Sequence, residues 1–101
     1  MPSLSIKVPH ALEIADAVKR LQSFLEQVRQ DHGDRVSNVQ GEWSDDTLKF
    51  GFTAMGMAIN GNLVVYQEEV HVSGNLPFAA SFFRGQIEQT IKGELQKLLV
   101  S

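Results

Sequence analysis

The sequence predicts an α+β fold in which an antiparallel sheet of five strands is covered by two amphipathic helices. Three observations support this prediction. Apolar residues alternate with polar ones in five short segments, they recur every three or four residues in two longer segments, and these two stand near opposite ends of the chain. The predicted order is β-α-β-β-β-β-α. Since 101 residues suffice for only one core of this kind, we expect residues 1–101 to form a single domain.

The first strand and the first helix are separated by Pro9. Alternate residues from Leu4 to Val8 are apolar, and Pro9 ends the strand because it lacks an amide donor. A helical period begins at Leu12 and stops near Gly33, where glycine can adopt the left-handed conformation that closes a helix. Its predicted apolar stripe consists of Ala15, Val18, Leu21, Leu25 and Val28, widened by Ile14 and Phe24.

The middle of the chain predicts a hairpin. Val39, Gly41 and Trp43 share one face of a second strand, and residues 44–47 supply the turn that reverses the chain. The third strand has the clearest alternation in the sequence, with apolar residues at Leu48, Phe50, Phe52 and Ala54. This strand is therefore expected to border the core.

The next chain reversal has two candidate positions. Asn60-Gly61 is a favoured two-residue hairpin connection, but a turn at Gly56 gives strands of matched length. We prefer Gly56, which leaves Gly61 inside a fourth strand from Met57 to Val65, as a bulge or as a point of close approach. A further turn leads into a fifth strand at residues 69–73.

The last helix is predicted to begin near Phe78, after Leu76-Pro77, which ends the fifth strand. Its apolar stripe consists of Phe83, Ile87, Ile91, Leu95 and Leu98. Burial of about five large apolar side chains stabilises each helix by roughly 8 to 15 kcal/mol before entropy is counted. Both helices are therefore expected to be integral to the fold.

Composition excludes several classes of function. The chain has no Cys, which excludes disulfides and thiolate metal sites, and its three His are too far apart in sequence for a local metal motif. The net charge is −3 and no cluster of basic and aromatic residues is present, so we expect no nucleic-acid partner. No apolar stretch approaches the roughly 20 residues of a membrane span, and the start of the chain lacks the features of a signal peptide. We therefore expect a cytoplasmic protein without a cofactor or a bound metal.

No arrangement of residues predicts catalysis. The chain lacks both a Gly-x-Ser-x-Gly motif and a glycine-rich phosphate loop, and its paired carboxylates Asp45-Asp46 and Glu68-Glu69 stand at predicted turns. His10 is the most interesting titratable residue, because it lies between the first strand and the first helix. Its ring could cap that helix or line a crevice between strand and helix, and we favour the cap.

An aromatic cluster opens the last helix. At 3.6 residues per turn Phe83 stands about 100° from Phe82, so one stripe cannot hold these two rings together with Phe78. Either the helix start is wide and fully buried, which is the commoner arrangement, or the rings form an exposed apolar surface for dimerisation, for a hydrophobic surface or for an amphiphilic ligand. Met55 and Met57 flank the preferred turn after the third strand and are candidates for the same surface, because Met side chains adapt to apolar partners.

A string of short motifs resembles one known family. The motifs are Pro9-His10-Ala11-Leu12, Trp43, Leu48-x-Phe50, Gly56 followed by Gly61, Leu76-Pro77 and Phe83-Arg84-Gly85-Gln86-Ile87-Glu88. They span nearly the whole chain and are similar to the polyhydroxyalkanoic acid system proteins, which are small bacterial proteins encoded near genes for polyhydroxyalkanoate synthesis and granule proteins. The resemblance implies a bacterial cytosolic protein with a link to polyester granules, and it implies no activity. The positions that match the family pattern, none with a catalytic role, are His10, Gly56, Gly61 and Ile87.

The predicted order of elements is also similar to a reduced helix-grip fold, the fold of the START and plant-allergen lipid-binding proteins. In that fold a long carboxyl-terminal helix lies across a curved sheet. The similarity implies a small apolar cavity between helix and sheet.

Three functions remain open at this point. The first is a non-enzymatic accessory or binding protein whose apolar surface at Phe78, Phe82 and Phe83 contacts a granule surface, an acyl ligand or another protein. The second is a homodimer in which the same surface is self-complementary. The third, ranked last, is an enzyme of acyl metabolism with His10 as its base, which would require His10 to open into a cavity beside a second polar group.

Overall fold

The computed structural model describes residues 3–100, and the predictions that involve Met1, Pro2 and Ser101 lie outside the described residues. The α+β class and the five antiparallel strands are confirmed. The elements in chain order are β1 (Ser3–Pro9), α1 (Ile14–Leu21), α2 (Phe24–His32), β2 (Val36–Ser44), β3 (Thr47–Ala54), β4 (Met57–Val65), β5 (Glu69–Asn75), a 3-10 helix (Phe78–Phe83) and α3 (Arg84–Leu99).

The five strands form one sheet in the order β1-β5-β4-β3-β2. Strands β2 to β5 follow one another as antiparallel neighbours, and β1 pairs with the outer edge of β5. In β1, β3, β4 and β5 alternate side chains contribute to the core, as Leu4, Ile6 and Val8 do in β1, whereas β2 contributes only partly buried side chains. The free edge of β1 is protected by α3, because the carboxylate of Glu88 accepts the amide of Ser5 at 3.1 Å.

The turn between β3 and β4 lies at Gly56, as preferred. Ala54 pairs with Met57, and the two residues between them, Met55 and Gly56, have φ values of 53° and 76°. Two successive residues with positive φ are the signature of the tight turn whose twist suits a hairpin. Gly61 is a point of close approach inside β4, because an added Cβ would lie 2.6 Å from the carbonyl oxygen of Ser73.

The bulge of the sheet lies in β2 instead of β4. The register between β2 and β3 shifts between Ser37 and Gln40, and Asn38 there has a φ of 53°. Asn adopts this left-handed conformation more readily than most residues, so the bulge strains the backbone less at Asn38 than it would at most other residues.

The first predicted helix is divided into α1 and α2, with the break at residues 22–23. The hydroxyl of Ser23 donates to the carbonyl oxygen of Arg20 at 3.0 Å, a local bond that competes with the helical ladder. The predicted stripe is therefore partly wrong: Ala17 is buried and Ala15 is exposed. Gly33 has a φ of −63°, so the expected left-handed closure is also wrong.

The last helical segment is tighter at its start than predicted. Phe78–Phe83 is a 3-10 helix, in which the amide of Ala80 bonds to the carbonyl oxygen of Pro77 at 2.9 Å. Side chains of such a helix align every three residues, so the four-residue stripe of α3 does not extend back through Phe83, which is 40% exposed. The buried residues of α3 are Ile87, Ile91, Glu94, Leu95 and Leu99, whereas Leu98 is only partly buried.

Candidate functional site

Two phenylalanine rings before α3 are exposed. Phe78 and Phe82 are 76% and 79% exposed, and their rings meet edge to face with centroids 6.4 Å apart. The 3-10 helix that carries them has no charged residue. Phe78, Phe82 and Phe83 together are called the aromatic patch below. Of the two arrangements considered for these rings, the wide buried helix start does not form.

The backbone of the short 3-10 helix explains this exposure. Ala80 is the buried residue of the segment, and its small side chain is the one that faces the core. The large rings of Phe78 and Phe82 lie outside. Burial of a Phe side chain stabilises a fold by about 1.5–3 kcal/mol, and Phe78 and Phe82 forgo most of this contribution. Exposed rings in contact with each other form an apolar surface, and such a surface is a candidate for contact with a partner.

The two candidate methionines are separated from each other. Met55 is 51% exposed in the β3–β4 turn, whereas Met57 is half-buried and packs against the core. Met55 lines a cavity that also contains Gln86, which follows Phe83 by three residues in the first turn of α3. Met55 therefore belongs to the rim of this cavity, and Met57 belongs to the core.

An apolar cavity of about 300 Å³ lies between α2, α3 and the strands β2 and β3. Its walls are mainly aromatic and aliphatic, and they include Phe24, Val28, Phe52, Ala54, Ile87 and Ile91. Polar and charged groups lie around them, among them His32, Arg35 and Thr90. Apolar walls with a few polar groups are typical of small-molecule sites, and this volume stands at the lower end of their range.

A polar clasp joins α2 to α3 beside this cavity, and we define it as Asp31, His32, Glu94 and Lys97. Oε1 of Glu94 lies 3.1 Å from Nε2 of His32 and 3.3 Å from Nζ of Lys97, which also donates to Asp31 at 3.1 Å. The hydrogen bond from Lys97 holds the pKa of Asp31 below its ordinary value, and the two carboxylates raise the pKa of Lys97. The clasp thus links the two helices that border the cavity.

Glu94 is the residue that sequence reasoning missed. It is only 3% exposed, and its second oxygen, Oε2, has no hydrogen-bond partner among the described residues. The signal was present in the spacing, because Glu94 follows Ile91 by three residues and Ile87 by seven and so stands on the apolar stripe. A carboxylate at such a position requires partners, and here one comes from the same helix, Lys97, and the other from α2, His32.

His10 connects three backbone segments. Its Nδ1 accepts the amide of Leu12 at 3.1 Å, and its Nε2 lies 2.8 Å from the carbonyl oxygen of Tyr66. An amide can only donate and a carbonyl can only accept, so these contacts require the neutral ring with its proton on Nε2. The amide of His10 also bonds to the carbonyl oxygen of Glu68. The bond to Leu12 lies before α1, whose N-cap residue is Glu13 and has no side-chain cap bond, so the preferred prediction that His10 caps the helix is wrong. The ring also does not line the apolar cavity.

The opposite face of the sheet carries a shallow polar groove of about 490 Å³. It follows one row of four paired residues, namely Gly41, Phe50, Gly61 and Gly74. Three of these four are glycines. Polar side chains stand on both sides of this row: Gln40, Glu42, Lys49, Asn60, Asn62 and Asn75. Exposed amides and charges of this kind are well hydrated, so the smaller apolar cavity is the better candidate for a ligand.

Comparison with known proteins identifies the family. The sequence profile described as "Putative polyhydroxyalkanoic acid system protein" matches residues 4–99. The chain belongs to this family. No curated protein and no solved structure matches it.

In this member of the polyhydroxyalkanoic acid system family, the four positions that match the family pattern have structural explanations. His10 connects backbone segments, and Gly56 has a positive φ of 76° in a tight turn. Gly61 leaves room for Cζ of Phe50, which would lie 2.9 Å from an added Cβ. Ile87 lines the apolar cavity. Of the four, only Ile87 is in a position to touch a ligand there.

Two further observations concern the described part of the family member. No three His, Asp or Glu side chains within residues 3–100 come together in a way that could hold a metal ion. None of the helices in that range is both long and apolar enough to cross a membrane.

Glu69, one of the paired carboxylates, bonds to Nε2 of His71 at 2.7 Å, and this bond holds the pKa of Glu69 below its ordinary value.

Proposed function

We propose that this chain is a non-enzymatic accessory protein of the polyhydroxyalkanoate system, located in the cytoplasm, which attaches to the granule surface through the aromatic patch. The observation that carries the proposal is the exposure of Phe78 and Phe82, at 76% and 79%. A polyester granule offers an apolar surface with few charges. Exposed rings on a segment without charged residues match that surface, because neither partner must give up hydrated charges on contact.

The expected attachment is weak and reversible. Burial of two Phe rings contributes about 3 to 6 kcal/mol, and loss of translational and rotational freedom on association costs at least about 4 kcal/mol. The difference is at most about 2 kcal/mol, which corresponds to a dissociation constant of about 30 mM or weaker for one patch on one contact point. Attachment is therefore sensitive to the loss of either ring.

The layout of the helices also supports a role in binding. A long α3 packs on a five-stranded antiparallel sheet above an apolar cavity. The reduced helix-grip fold expected from the sequence is part of this proposal, and the order of the elements is what supports it. An enzyme with His10 as its base is disfavoured, because both ring nitrogens already contact backbone groups.

The test is sedimentation with polyhydroxybutyrate granules, combined with light-scattering mass across a concentration series. With granules in large excess, a measurable fraction of wild type is expected to sediment with them, and a smaller fraction of the double variant Phe78→Ser, Phe82→Ser is expected to do so. Tyr66→Ser is the matched control, because Tyr66 is an exposed aromatic residue in a different part of the fold, at 48% exposure. Sedimentation of the double variant at the wild-type level would refute the proposal.

The alternative is a homodimer that uses the same patch. It predicts that wild type has twice the mass of one chain, that the double variant is monomeric, and that granules bind neither protein. The two measurements together therefore distinguish an interface to the polymer from self-association.

A further inference from the structure

We infer that the free edge of β2 is an interface between two copies of this chain. The two β2 strands pair in antiparallel fashion about a twofold axis and join the two five-stranded sheets into one. The interface consists of residues other than the aromatic patch and does not depend on attachment to granules. It is argued from the exposure of this edge, from the side chains that it places opposite each other and from the charges at its ends.

The two edges of the sheet differ in protection. At the β1 edge, the carboxylate of Glu88 accepts the amide of Ser5, and Pro9 at the end of the strand has no amide to donate. β2 pairs with β3 on one side, and it contains neither Lys nor Pro, the residues that commonly block an edge. Its bulge leaves residues 40–44 as the regular part of the edge. This segment is therefore open to a further strand.

Gly41 shows that the backbone of this edge is accessible. Leu25 of α2 covers one face of it, because an added Cβ would collide with Cδ1 of Leu25. Gly41 is nevertheless exposed, whereas Gly51 in the inner strand β3 is buried. The accessible surface of Gly41 therefore lies at the free edge and on the open face of the sheet, where a second strand would add.

Charge selects the register of the two strands. If Glu42 stood opposite Glu42 of the second copy, two carboxylates would face each other, which destabilises a sheet. A register with Gly41 at the axis instead places Gln40 opposite Glu42 and Val39 opposite Trp43, each pair twice. The amide of Gln40 can donate to the carboxylate of Glu42. Val39 and Trp43 are partly buried apolar side chains, and their pairing covers them further.

The ends of the interface carry opposite charges. With Gly41 at the axis, Asp46 of one copy lies opposite Val36 of the second copy, one residue from its Arg35. Asp45, Asp46 and Arg35 are exposed, and none of them forms an ion pair within residues 3–100. Twofold symmetry makes this contact twice, so the edge suits a second copy better than an unrelated strand.

The first experiment is light-scattering mass of the full chain across a concentration series. The strand pair is short and belongs to the small, transient class of interfaces, so we expect a dissociation constant of about 0.1 mM. The mass is therefore expected to rise from that of one chain toward that of two between about 10 µM and 1 mM. A wild type that stays monomeric over this whole range would overturn the inference.

Two substitutions of Gln40 test the register. Gln40→Lys places an ammonium opposite Glu42 and is expected to tighten the dimer about fivefold, and Gln40→Glu is expected to weaken it about fivefold. Asn60→Lys and Asn60→Glu are the matched controls, because Asn60 is exposed and stands in the same row of the sheet, two strands further in. The controls are expected to associate like wild type. Equal association of the two Gln40 variants would overturn the register.

A charge exchange tests the ends. Arg35→Asp is expected to weaken the dimer, and addition of Asp46→Lys to that variant is expected to restore it, because the two charges are then exchanged. Amide hydrogen exchange gives a second readout that does not depend on mass. Residues 40–44 are expected to become more protected at high protein concentration, and the residues of β1 are expected to stay unchanged. Protection that appears in β1 instead would overturn the assignment to β2.

The outcomes separate this inference from the proposed function. The Phe78→Ser, Phe82→Ser variant is expected to dimerise like wild type, since the aromatic patch lies outside the β2 edge. Loss of the dimer in that variant would assign self-association to the patch and would overturn the inference. Gln40→Glu is expected to sediment with granules to the wild-type extent, because the patch is unchanged.

Discussion

The two halves of the core differ in how completely they are filled. The closed half lies between β1, β5, β4 and the helices α1 and α3, and it contains most of the fully buried side chains: Leu4, Val8, Leu21, Leu63, Val70, Val72 and Leu95. The open half lies between β2, β3 and the helices α2 and α3, and it contains the apolar cavity. Several of its apolar side chains are only partly buried: Leu25, Val36, Trp43 and Phe52.

The difference teaches that one sheet can combine a dense core with an apolar cavity. The break at residues 22–23 separates α1, which packs on α3 and β4, from α2, which packs on α3 and β2. β2 is an edge strand interrupted by a bulge. Both irregularities belong to the open half. Dense packing there would require the regular helix and strand that the closed half has.

The largest expected effect is a difference between two Leu→Ala substitutions. Leu63→Ala in the closed half is expected to lower the free energy of unfolding by about 3 to 5 kcal/mol, because it leaves a cavity in a dense core. Leu25→Ala in the open half is expected to cost about 1 to 2 kcal/mol, because Leu25 is partly exposed and already borders the cavity. Urea denaturation measures both values. Equal losses would mean that the two halves are packed alike.

The next effect concerns added volume. Ala17→Leu in the closed half is expected to cost about 1 to 3 kcal/mol, because Ala17 is completely buried and the larger side chain must displace its neighbours. Ala54→Leu in the open half is expected to change the free energy of unfolding by less than about 1 kcal/mol, because space is available. A large loss in Ala54→Leu would contradict the presence of a cavity in solution. Urea denaturation of the two variants under identical conditions makes the comparison.

A smaller effect is expected for His10, which connects backbone segments at the end of the closed half. His10→Ala removes hydrogen bonds to Leu12 and Tyr66, and it is expected to cost about 1 to 2 kcal/mol. His10→Asn is expected to recover about half of this loss, because Asn can accept the amide two residues later but cannot reach Tyr66. If Asn recovers nothing in urea denaturation, the bond to Leu12 has little importance for stability.

The smallest effect concerns the clasp on the open half and depends on pH. The lowered pKa of Asp31 means that its contribution is present above its ordinary value of 3.8 and is lost as pH falls through the lowered value. The raised pKa of Lys97 means that the contribution is complete below 10.5 and is lost as pH rises through the raised value. Asp31→Asn is therefore expected to be slightly less stable than wild type between these limits and equal to it in strong acid.

The control for the clasp is a double-mutant cycle. In a Lys97→Met background, Asp31→Asn is expected to have a smaller effect, because the main partner of Asp31 is already absent. Thermal unfolding of the four proteins at neutral and acidic pH measures the coupling. An unchanged effect in the Lys97→Met background would assign the contribution of Asp31 to another contact.

Much of the fold could be predicted from local patterns. The alternation from Leu48 to Ala54 identified β3, and Gly56 marked the hairpin because glycine readily takes a positive φ. The division of the first helix at Ser23 could not be predicted, since the apolar period continues across it. The local bond of Ser23 and the packing on the sheet decide that point together.

The candidate site was predictable only in part. Phe78 and Phe82 were identified because three rings exceed the width of one helical stripe, but their exposure follows from the 3-10 helix that anchors on Ala80. Glu94 was overlooked because its importance lies in its partners, His32 and Lys97. His32 is 62 residues away along the chain, and no local pattern links the two.

The sequence by itself determined the order of the five strands along the chain, most of the residues that face the core, and the family to which the chain belongs. These properties depend on short-range periodicity and on motifs. Only the tertiary structure decided where the core is dense, where it leaves a cavity and which side chain lacks a partner. The physical reason is that a void or an unpaired oxygen results from how distant segments fit together, and that fit is settled only when the helices pack on the sheet.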